Sequence, residues 1–244
     1  MQRFYTPFQN ISGDKITLSD INQLHHMQNV LRLKVKDEVM IFDDKTNEYK
    51  AEIEKLSSQN VILKIKERKK NIIDKKIRIA VACALPKKSK IEDIIDKLTQ
   101  LGVDKIIPLE TERVIVKLDD KKKKMRLARW QKIAQNASLQ SHRNSFPIIE
   151  PLMDIKELLS SSEYFDLKLI PTLLGKRGSL KEILSNFKYK NILILIGPEG
   201  DFTAQELILA KKAGCIPVSL GELVLRVDTA AIAVSSFIRL NENN

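Results

Sequence analysis

Residues 192–203 read ILILIGPEGDFT, and residues 216–231 read IPVSLGELVLRVDTAA. In both stretches an apolar run that suits a buried strand ends close to a glycine, Gly197 in the first and Gly221 in the second. Glycine lets the backbone approach another group with no side chain between them. Ligands of open α/β sheets bind beyond the carboxyl ends of the strands. The two stretches therefore predict two backbone-lined loops around one small-molecule pocket.

On both sides of these stretches, strands alternate with helices, which is typical of an α/β fold with a parallel sheet covered on both faces. The run LILI at residues 193–196 supports this fold, because a strand with one face in water would alternate apolar and polar residues. Strands are predicted at residues 77–85, 105–109, 167–171, 192–196 and 216–220, and helices at 91–101, 121–143, 179–187, 203–213 and 228–240.

The first 70 residues predict a separate, smaller β-rich domain. Strands at 38–42 and 48–53 flank a hairpin turn, and a third strand follows at 60–66. A helix capped by Ser19 is predicted to run through Leu31. The charged, apolar-poor run at 66–71 predicts a linker. The domain boundaries are therefore placed at 1–70, a small barrel, and 76–244.

Charge is distributed unevenly along the 244 residues, whose formal net charge is +11. Residues 1–151 carry 31 Lys and Arg against 20 acids, whereas residues 152–244 carry 11 of each. A neutral small-molecule end attached to a basic remainder suits a polyanionic partner. The alternative is that the excess lysine serves only solubility.

Several classes of protein are excluded by what the sequence lacks. It has neither a G-x-x-x-x-G-K-[ST] loop nor a G-x-G-x-x-G fingerprint. Its three histidines and two cysteines are too scattered to predict a metal site. No apolar run is long enough to span a membrane, and the N-terminus does not resemble a secretory signal. Cys83 and Cys215 lie in apolar runs and are expected to be core thiols, which favours a cytoplasmic location.

The residues after each predicted strand have identifiable local roles. Pro198 stiffens the first turn, Gly200 permits a positive φ, and Thr203 forms a capping box with Glu206 at the start of the next helix. In the second loop, Leu223 and Leu225 are apolar and are expected to wrap a ligand or a partner. Asp228 is expected to cap the last helix. An ordinary strand-turn-helix connection is the alternative for the first loop taken alone.

The long helix at 121–143 presents two different faces. One face carries four core candidates, and the other carries a polar stripe that suits contacts with phosphate groups. A solvated helix surface is the alternative for the stripe. The core candidates are Leu127, Trp130, Ala134 and Ala137, and the stripe consists of Arg129, Lys132, Asn136, Gln140 and Arg143.

The stretches 197–203 and 219–231 resemble the signature sequences of the SPOUT methyltransferases, and among them the bacterial 16S ribosomal RNA uridine-N3 methyltransferases. The likeness extends to residues 26–43, 97–103 and 136–143 and so covers most of the chain. Two departures are visible: Asp201 stands where the family commonly has glycine, and Val227-Asp228 where Thr-Glu is usual. The resemblance implies a C-terminal trefoil-knot domain that binds S-adenosylmethionine (SAM) largely through main-chain groups, and an N-terminal PUA-like domain.

By this resemblance the chain methylates N3 of a uridine in 16S ribosomal RNA as a homodimer that needs no metal and no membrane. Arg226 is expected to stabilise negative charge on the base, and Asp228 or Glu199 to receive the N3 proton. The dimer is expected to use the apolar helix at 228–240, although that apolar surface could instead be buried within one subunit. RNA contacts are expected at Arg32, Arg129, Lys132, Gln140 and Arg143. Cofactor contacts are expected at Thr172, Leu173, Ile196, Gly197, Pro198, Gly200, Leu220, Gly221, Leu223, Leu225 and Thr229.

Two other functions remain open at this point. One is a related SPOUT activity, such as methylation of a ribose 2′-hydroxyl or of transfer RNA. The other is a non-catalytic RNA-binding factor. The two glycine loops together with Arg226 disfavour the second, because a pure binder needs no cofactor pocket.

Overall fold

The chain divides into two compact units, of which the first comprises Met1–Asp74 with Ser138–Phe146 and the second Lys75–Ala137 with Pro147–Asn244. The computed structural model describes residues 1–70, 77–86, 90–114, 119–185 and 189–241. Residues 138–146 lie outside the 1–70 boundary predicted for the first domain. Their contacts within the first unit explain this placement, since the Phe146 ring lies 4.6 Å from the Tyr5 ring and Arg3 Nη1 donates to the His142 carbonyl at 2.8 Å.

The first unit is a mixed sheet with short helical segments. Its strands lie in the order β1-β4-β5-β6-β3-β2 in the part of the chain described, with β1 parallel to β4 and the other pairs antiparallel. The elements are β1 (Arg3–Tyr5), a 3-10 turn (Phe8–Asn10), β2 (Ile11–Ser12), β3 (Lys15–Leu18), α1 (Ile21–His25), a π-helical turn (His26–Val30), β4 (Glu38–Phe42), β5 (Asn47–Leu56) and β6 (Val61–Lys70).

Two local predictions for this unit were wrong. Asp20, not Ser19, caps α1, because its carboxylate accepts the Gln23 amide at 2.9 Å. The charged run from residue 66 belongs to β6 up to Lys70 and pairs with β5, so Lys70 lies opposite Asn47. The remaining residue of the predicted linker, Asn71, lies outside the described residues. Alternate residues of β5 and of the first half of β6 are buried in an apolar core, whereas residues 66–70 of β6 are all exposed, which is why this part of the strand can carry so many charged residues.

The second unit is an α/β fold built on a parallel sheet, as predicted. Every strand pairing among its described residues is parallel, and the order is β10-β8-β7-β13-β11-β14-β12, with β9 also beside β8. The elements are β7 (Arg78–Ala84), α2 (Lys90–Gln100), β8 (Lys105–Glu110), α3 (Asp120–Gln140), β9 (Ile148–Ile149), β10 (Met153–Asp154), α4 (Ile155–Ser160), β11 (Leu167–Pro171), β12 (Gly178–Ser179), α5 (Leu180–Leu184), β13 (Asn191–Ile196), α6 (Ala204–Lys212), β14 (Ile216–Ser219) and α7 (Val227–Asn241).

Helices cover both faces of this sheet, which is why its central strands are apolar throughout. Along β13, Ile194 packs in one core cluster and Leu195 in the other, and both are fully buried. Residues of α2, α3, α5 and α7 belong to the first cluster, and residues of α4 and α6 belong to the second. Trp130, Ala134 and Ala137 of α3 are buried as predicted, and Leu127 is half-buried.

All five helices predicted for this unit differ from the prediction by at least one residue at an end. Helix α5 ends at Leu184, with Ser179 as its N-cap, and the predicted continuation through 186 and 187 lies outside the described residues. Helix α3 ends at Gln140. Helix α7 begins at Val227, so Asp228 lies inside its first turn and does not cap it. A carboxylate in that turn still interacts favourably with the positive end of the helix dipole.

The strand order brings the carboxyl ends of β13, β11 and β14 together, because β11 pairs with both of the others. The chain leaves these three strands at Ile196, Pro171 and Ser219. Loops that are far apart in sequence are therefore neighbours at one edge of the sheet, and the site described below is formed there.

The two cysteines are buried thiols, as predicted. Burial raises the pKa of Cys83 to about 12, with smaller contributions from the charges of Glu199 and Asp228, and burial raises the pKa of Cys215 to about 11. Among the described residues, no helix has the length and apolar character needed to cross a membrane. The same residues contain no group of three or more His, Cys, Asp and Glu side chains that could hold a metal ion.

Candidate active site

A pocket opens at the carboxyl edge of the second unit's sheet. Three loops form its walls: the loop after β11, the loop after β13, and the loop between β14 and α7. Its lining residues are Pro171, Thr172, Leu173, Arg177, Ile196, Gly197, Pro198, Glu199, Asp201, Leu220, Gly221, Leu223, Val224, Leu225, Val227 and Ala230.

Nine of the eleven residues predicted to contact a cofactor line this pocket. Gly200 and Thr229 do not. The Gly200 carbonyl instead accepts a hydrogen bond from the Arg113 guanidinium. Thr229 is exposed on α7, while Val227 and Ala230, three residues apart on that helix, line the pocket. The helical period places Val227 and Ala230 on one face and turns Thr229 away from it, a signal that the sequence contained.

Gly197 lines the pocket and also has a packing role that was not predicted. A Cβ atom there would lie 3.1 Å from Cδ2 and Cε2 of Phe202 and 3.3 Å from Oδ1 of Asp201, so the space beside it is already filled by protein atoms. Phe202 is fully buried. Gly197 therefore permits close packing beneath the loop. Gly221 fits the prediction better, because its φ of +118° is unfavourable for other residues and a Cβ would meet nothing within 4 Å.

The positive φ in the first loop occurs at Asp201, with φ of 60°, and not at Gly200. Asp201 N donates to the Pro198 carbonyl at 2.9 Å, which closes the turn. The Asp201 carboxylate accepts the Phe202 amide through Oδ1, and the Thr172 hydroxyl and Leu173 amide through Oδ2, each at 2.8 Å. Aspartate is among the few residues that adopt this conformation readily.

The capping box at the start of α6 forms as predicted. Thr203 Oγ1 accepts the Glu206 amide at 3.2 Å, and Glu206 Oε2 accepts the Thr203 amide at 2.8 Å. Glu206 is buried, and its Oε1 accepts the Glu112 amide at 2.8 Å. The same side chain therefore connects the loop after β8 with the loop after β13.

The three predicted catalytic residues lie on two of these loops and on α7. Glu199 lines the pocket and its side chain is exposed, whereas Arg226 is exposed but is not part of the lining. Asp228 Oδ1 is enclosed by protein and has no hydrogen-bond partner in the described part of the chain. The charges of Glu199 and Asp228 both raise the pKa of Cys83, so the two carboxylates act on the same region.

The predicted RNA contacts are distributed over both units. Arg129 is exposed and forms an ion pair with Glu92 of α2 at 2.7 Å, and Lys132 is exposed on the same helix. In the first unit, Gln140 is exposed and Arg143 is half-buried. Arg32 is exposed with a φ of 52°, two residues after the end of the π-helical turn.

A loop-lined pocket at the carboxyl ends of parallel strands places the second unit among the α/β domains that bind a small molecule at that position. Comparisons with known proteins identify the family. Residues 74–239 match the model of the RNA methyltransferase domain, and residues 18–66 match the RNA methyltransferase PUA domain. The chain therefore belongs to the RNA methyltransferase family whose members carry a PUA domain.

Its relatives include a group of bacterial enzymes with one name. The chain is 32% identical to the ribosomal RNA small subunit methyltransferase E of Bacillus subtilis, over 98% of this chain and 96% of the relative. It is equally identical to that of Rickettsia conorii, over 98% and 95%. A crystal structure of the enzyme with this name from Neisseria gonorrhoeae, bound to SAM, matches with a TM-score of 0.87 and 31% identity, over 98% of this chain and 96% of that one.

Proposed function

We propose that this chain transfers a methyl group from SAM to N3 of a uridine in the 16S ribosomal RNA of the small ribosomal subunit. The observation that carries the proposal is the pocket at the carboxyl ends of β11, β13 and β14, lined by both glycine loops. The names of the relatives support ribosomal RNA of the small subunit as the substrate. The resemblance of residues 197–203 and 219–231 to the uridine-N3 enzymes supports N3 of uridine as the atom that is methylated.

The residues of the pocket suit SAM. Gly221 leaves open space that a Cβ would occupy, so backbone can approach the ligand there. Leu220, Leu223 and Val224 offer an apolar wall for the adenosine portion. Arg177 and Glu199, two charged residues of the lining, suit the charged amino-acid portion. When bound, SAM supplies an electrophilic methyl group on a sulfonium.

The protein's own residues must make N3 of uracil nucleophilic. The neutral N3–H is a poor nucleophile, so the site must favour loss of its proton. Glu199 is the acceptor that the geometry favours, since it is exposed and lines the pocket, and Asp228 is the alternative. We assign to Arg226 the stabilisation of negative charge on the uracil oxygens, because an exposed guanidinium can donate to them.

The first unit and the polar stripe defined above, which runs along α3 and ends at Arg143 just beyond that helix, would hold the RNA. The unit matches an RNA methyltransferase PUA domain, and the excess of basic residues lies in the first 151 residues.

We further propose a homodimer in the cytoplasm. Ala231, Val234 and Ile238 are buried in the chain's own core, so the apolar surface of α7 available to a partner is limited to residues such as Ile232, Phe237 and Leu240.

Mass spectrometry of nucleosides tests the reaction. Small subunits from cells that lack the gene are incubated with the purified protein and SAM, and the RNA is digested. We expect one additional 3-methyluridine and no product without SAM. A methyl group on ribose, or methylated transfer RNA as the product, would contradict the proposal. Glu199→Gln and Asp228→Asn are then compared over a range of pH. The one that abolishes the product at every pH identifies the proton acceptor.

A calorimetric titration with SAM separates an enzyme from a pure RNA-binding factor. The enzyme is expected to release or absorb heat with a saturable isotherm, because its pocket binds the cofactor. A factor that only binds RNA would show no saturable heat with SAM while still binding the small subunit.

Substitution of the stripe residues is expected to weaken RNA binding and to reduce its salt dependence. If Arg129, Lys132 and Arg143 each neutralise a phosphate, changing all three to glutamine should lower the slope of log affinity against log salt by about 2 to 3. A matched control changes Lys181, Lys211 and Lys212, which are exposed on α5 and α6, to glutamine and alters the net charge equally. Equal slopes for the two triple variants would mean that the stripe is a solvated surface and does not contact the RNA phosphates.

A further inference from the structure

We infer that Asp201 is a positioning residue that holds two loops of the pocket together before the cofactor arrives. The inference rests on the proposed function, since it concerns the same pocket. The loop after β13 contains Asp201, and the loop after β11 contains Thr172 and Leu173. These loops are about 29 residues apart in sequence and are joined by the Asp201 carboxylate.

The contacts of this carboxylate make it a connection between the two loops. Oδ2 accepts both the Thr172 hydroxyl and the Leu173 amide at 2.8 Å. Thr172 is 7% exposed, and its hydroxyl oxygen also accepts the Leu174 amide at 3.1 Å. The Asp201 side chain therefore fixes the first residues after β11, where that loop turns into the pocket wall.

The backbone at Asp201 has a conformation that most residues avoid. The residue has a φ of 60°, a conformation that costs free energy in most non-glycine residues and that glycine adopts freely. A glycine would satisfy the turn but could not reach Thr172 or Leu173. The aspartate tolerates the left-handed conformation and adds two hydrogen bonds to a neighbouring loop, each with a charged acceptor.

A pocket that is already formed binds its ligand more tightly, because less conformational freedom is lost on binding. If the connection is broken, only a fraction of the molecules will have the competent loop arrangement, and the apparent dissociation constant will rise by the inverse of that fraction. We expect Asp201→Gly to raise the dissociation constant of SAM about thirtyfold, the effect of losing two hydrogen bonds of ordinary net strength. The glycine removes the carboxylate without straining the turn.

A matched control is available at the opposite edge of the same sheet. The Asp166 carboxylate accepts the amides of Lys190 and Asn191 at 2.9 and 2.7 Å, at the amino end of β13. It makes the same kind of contact, and Asp166 is not among the residues that line the pocket. Asp166→Ala should lower the melting temperature and leave the SAM dissociation constant within twofold of the wild type.

Kinetics and a double-mutant cycle distinguish positioning from a loss of general stability. Asp201→Gly should raise the KM for SAM and leave both the KM for RNA and the turnover number at saturating SAM close to the wild type. Thr172→Val removes the hydroxyl and keeps the side-chain shape. Combined with Asp201→Gly, it should weaken SAM binding by clearly less than the product of the two single effects, because both variants break the same contact.

Amide hydrogen exchange on the ligand-free protein tests the connection without any cofactor. The Leu173 amide should be protected in the wild type and should exchange at least tenfold faster in Asp201→Gly, while the Asn191 amide is unchanged. Failure of the wild type to bind SAM would refute the proposed function, and the exchange data would still decide whether the connection exists. The inference would be overturned if Asp201→Gly exchanged the Leu173 amide at the wild-type rate, or if it bound SAM with the wild-type affinity.

Discussion

Replacing Arg226 with alanine is expected to lower the turnover number on small-subunit RNA by about two to three orders of magnitude, the usual effect of losing one donor to a developing anion. The affinity for SAM should stay within twofold of the wild type, because Arg226 is not among the residues that line the pocket. Its position explains the separation of the two effects. Arg226 directly precedes α7, and its carbonyl accepts the Ala230 amide at 2.8 Å, so the backbone is fixed while the side chain is exposed.

Single-turnover kinetics with saturating SAM and RNA measures this effect directly. Arg226→Lys is the informative companion variant, since it keeps the charge and loses the planar pair of donors. It should recover part of the rate if charge stabilisation is the main contribution. Lys211→Ala, an exposed substitution on α6, controls for the change in net charge. A turnover number within threefold of the wild type for Arg226→Ala would remove this residue from the mechanism.

The proposed dimer adds a second measurement on the same variant. If one subunit supplies Arg226 and its partner supplies an RNA contact such as Arg143, neither Arg226→Ala nor Arg143→Ala homodimers will contain an intact site. Mixed dimers will contain one intact site, so mixing the two inactive chains should restore part of the activity. A fully active monomer at micromolar concentration in light scattering would exclude shared sites.

The sheet and the pocket loops could be predicted because their signals are local. The run at 192–196 is apolar at every position, and the structure covers both faces of that strand. Gly221 marks a real break, since its φ of +118° suits glycine almost exclusively. The capping box between Thr203 and Glu206 depends on a spacing of three residues, so the sequence alone was sufficient for it.

The features that were missed depend on distant partners. Asp201 adopts its positive φ while contacting Thr172 and Leu173, about 29 residues earlier in the chain, and no local pattern announces such a contact. Gly197 was predicted as a pocket residue and lines the pocket, but its close packing against the Phe202 ring depends on the tertiary structure and could not be predicted. Residues 66–70 suggested a linker because all of them are charged, so the sequence shows no alternation of apolar and polar residues there. The strand is instead defined by its pairing with β5.

The contact between Gly197 and Phe202 leads to the prediction with the largest effect on stability. Gly197→Ala places a methyl group 3.1 Å from a fully buried aromatic ring, and forced contacts of this kind cost about 1 to 3 kcal/mol. SAM affinity should fall together with stability, since Phe202 lies directly beneath the loop that carries Glu199 and Asp201. Gly221→Ala differs in kind, because its methyl group enters open space and only the backbone conformation is strained.

Phe202→Leu distinguishes these two glycines, because the smaller side chain leaves room for a methyl group at Gly197 and does nothing for Gly221. In a double-mutant cycle, Phe202→Leu should reduce the destabilisation by Gly197→Ala by about 1 kcal/mol or more, and should simply add to the effect of Gly221→Ala. The chain's single tryptophan, Trp130, is 1% exposed in the core of the second unit, so its fluorescence during denaturant unfolding reports on the unit that contains both glycines. Additive effects at Gly197 would mean that the loop relaxes away from the ring, and the pocket would then tolerate a side chain at this strand end.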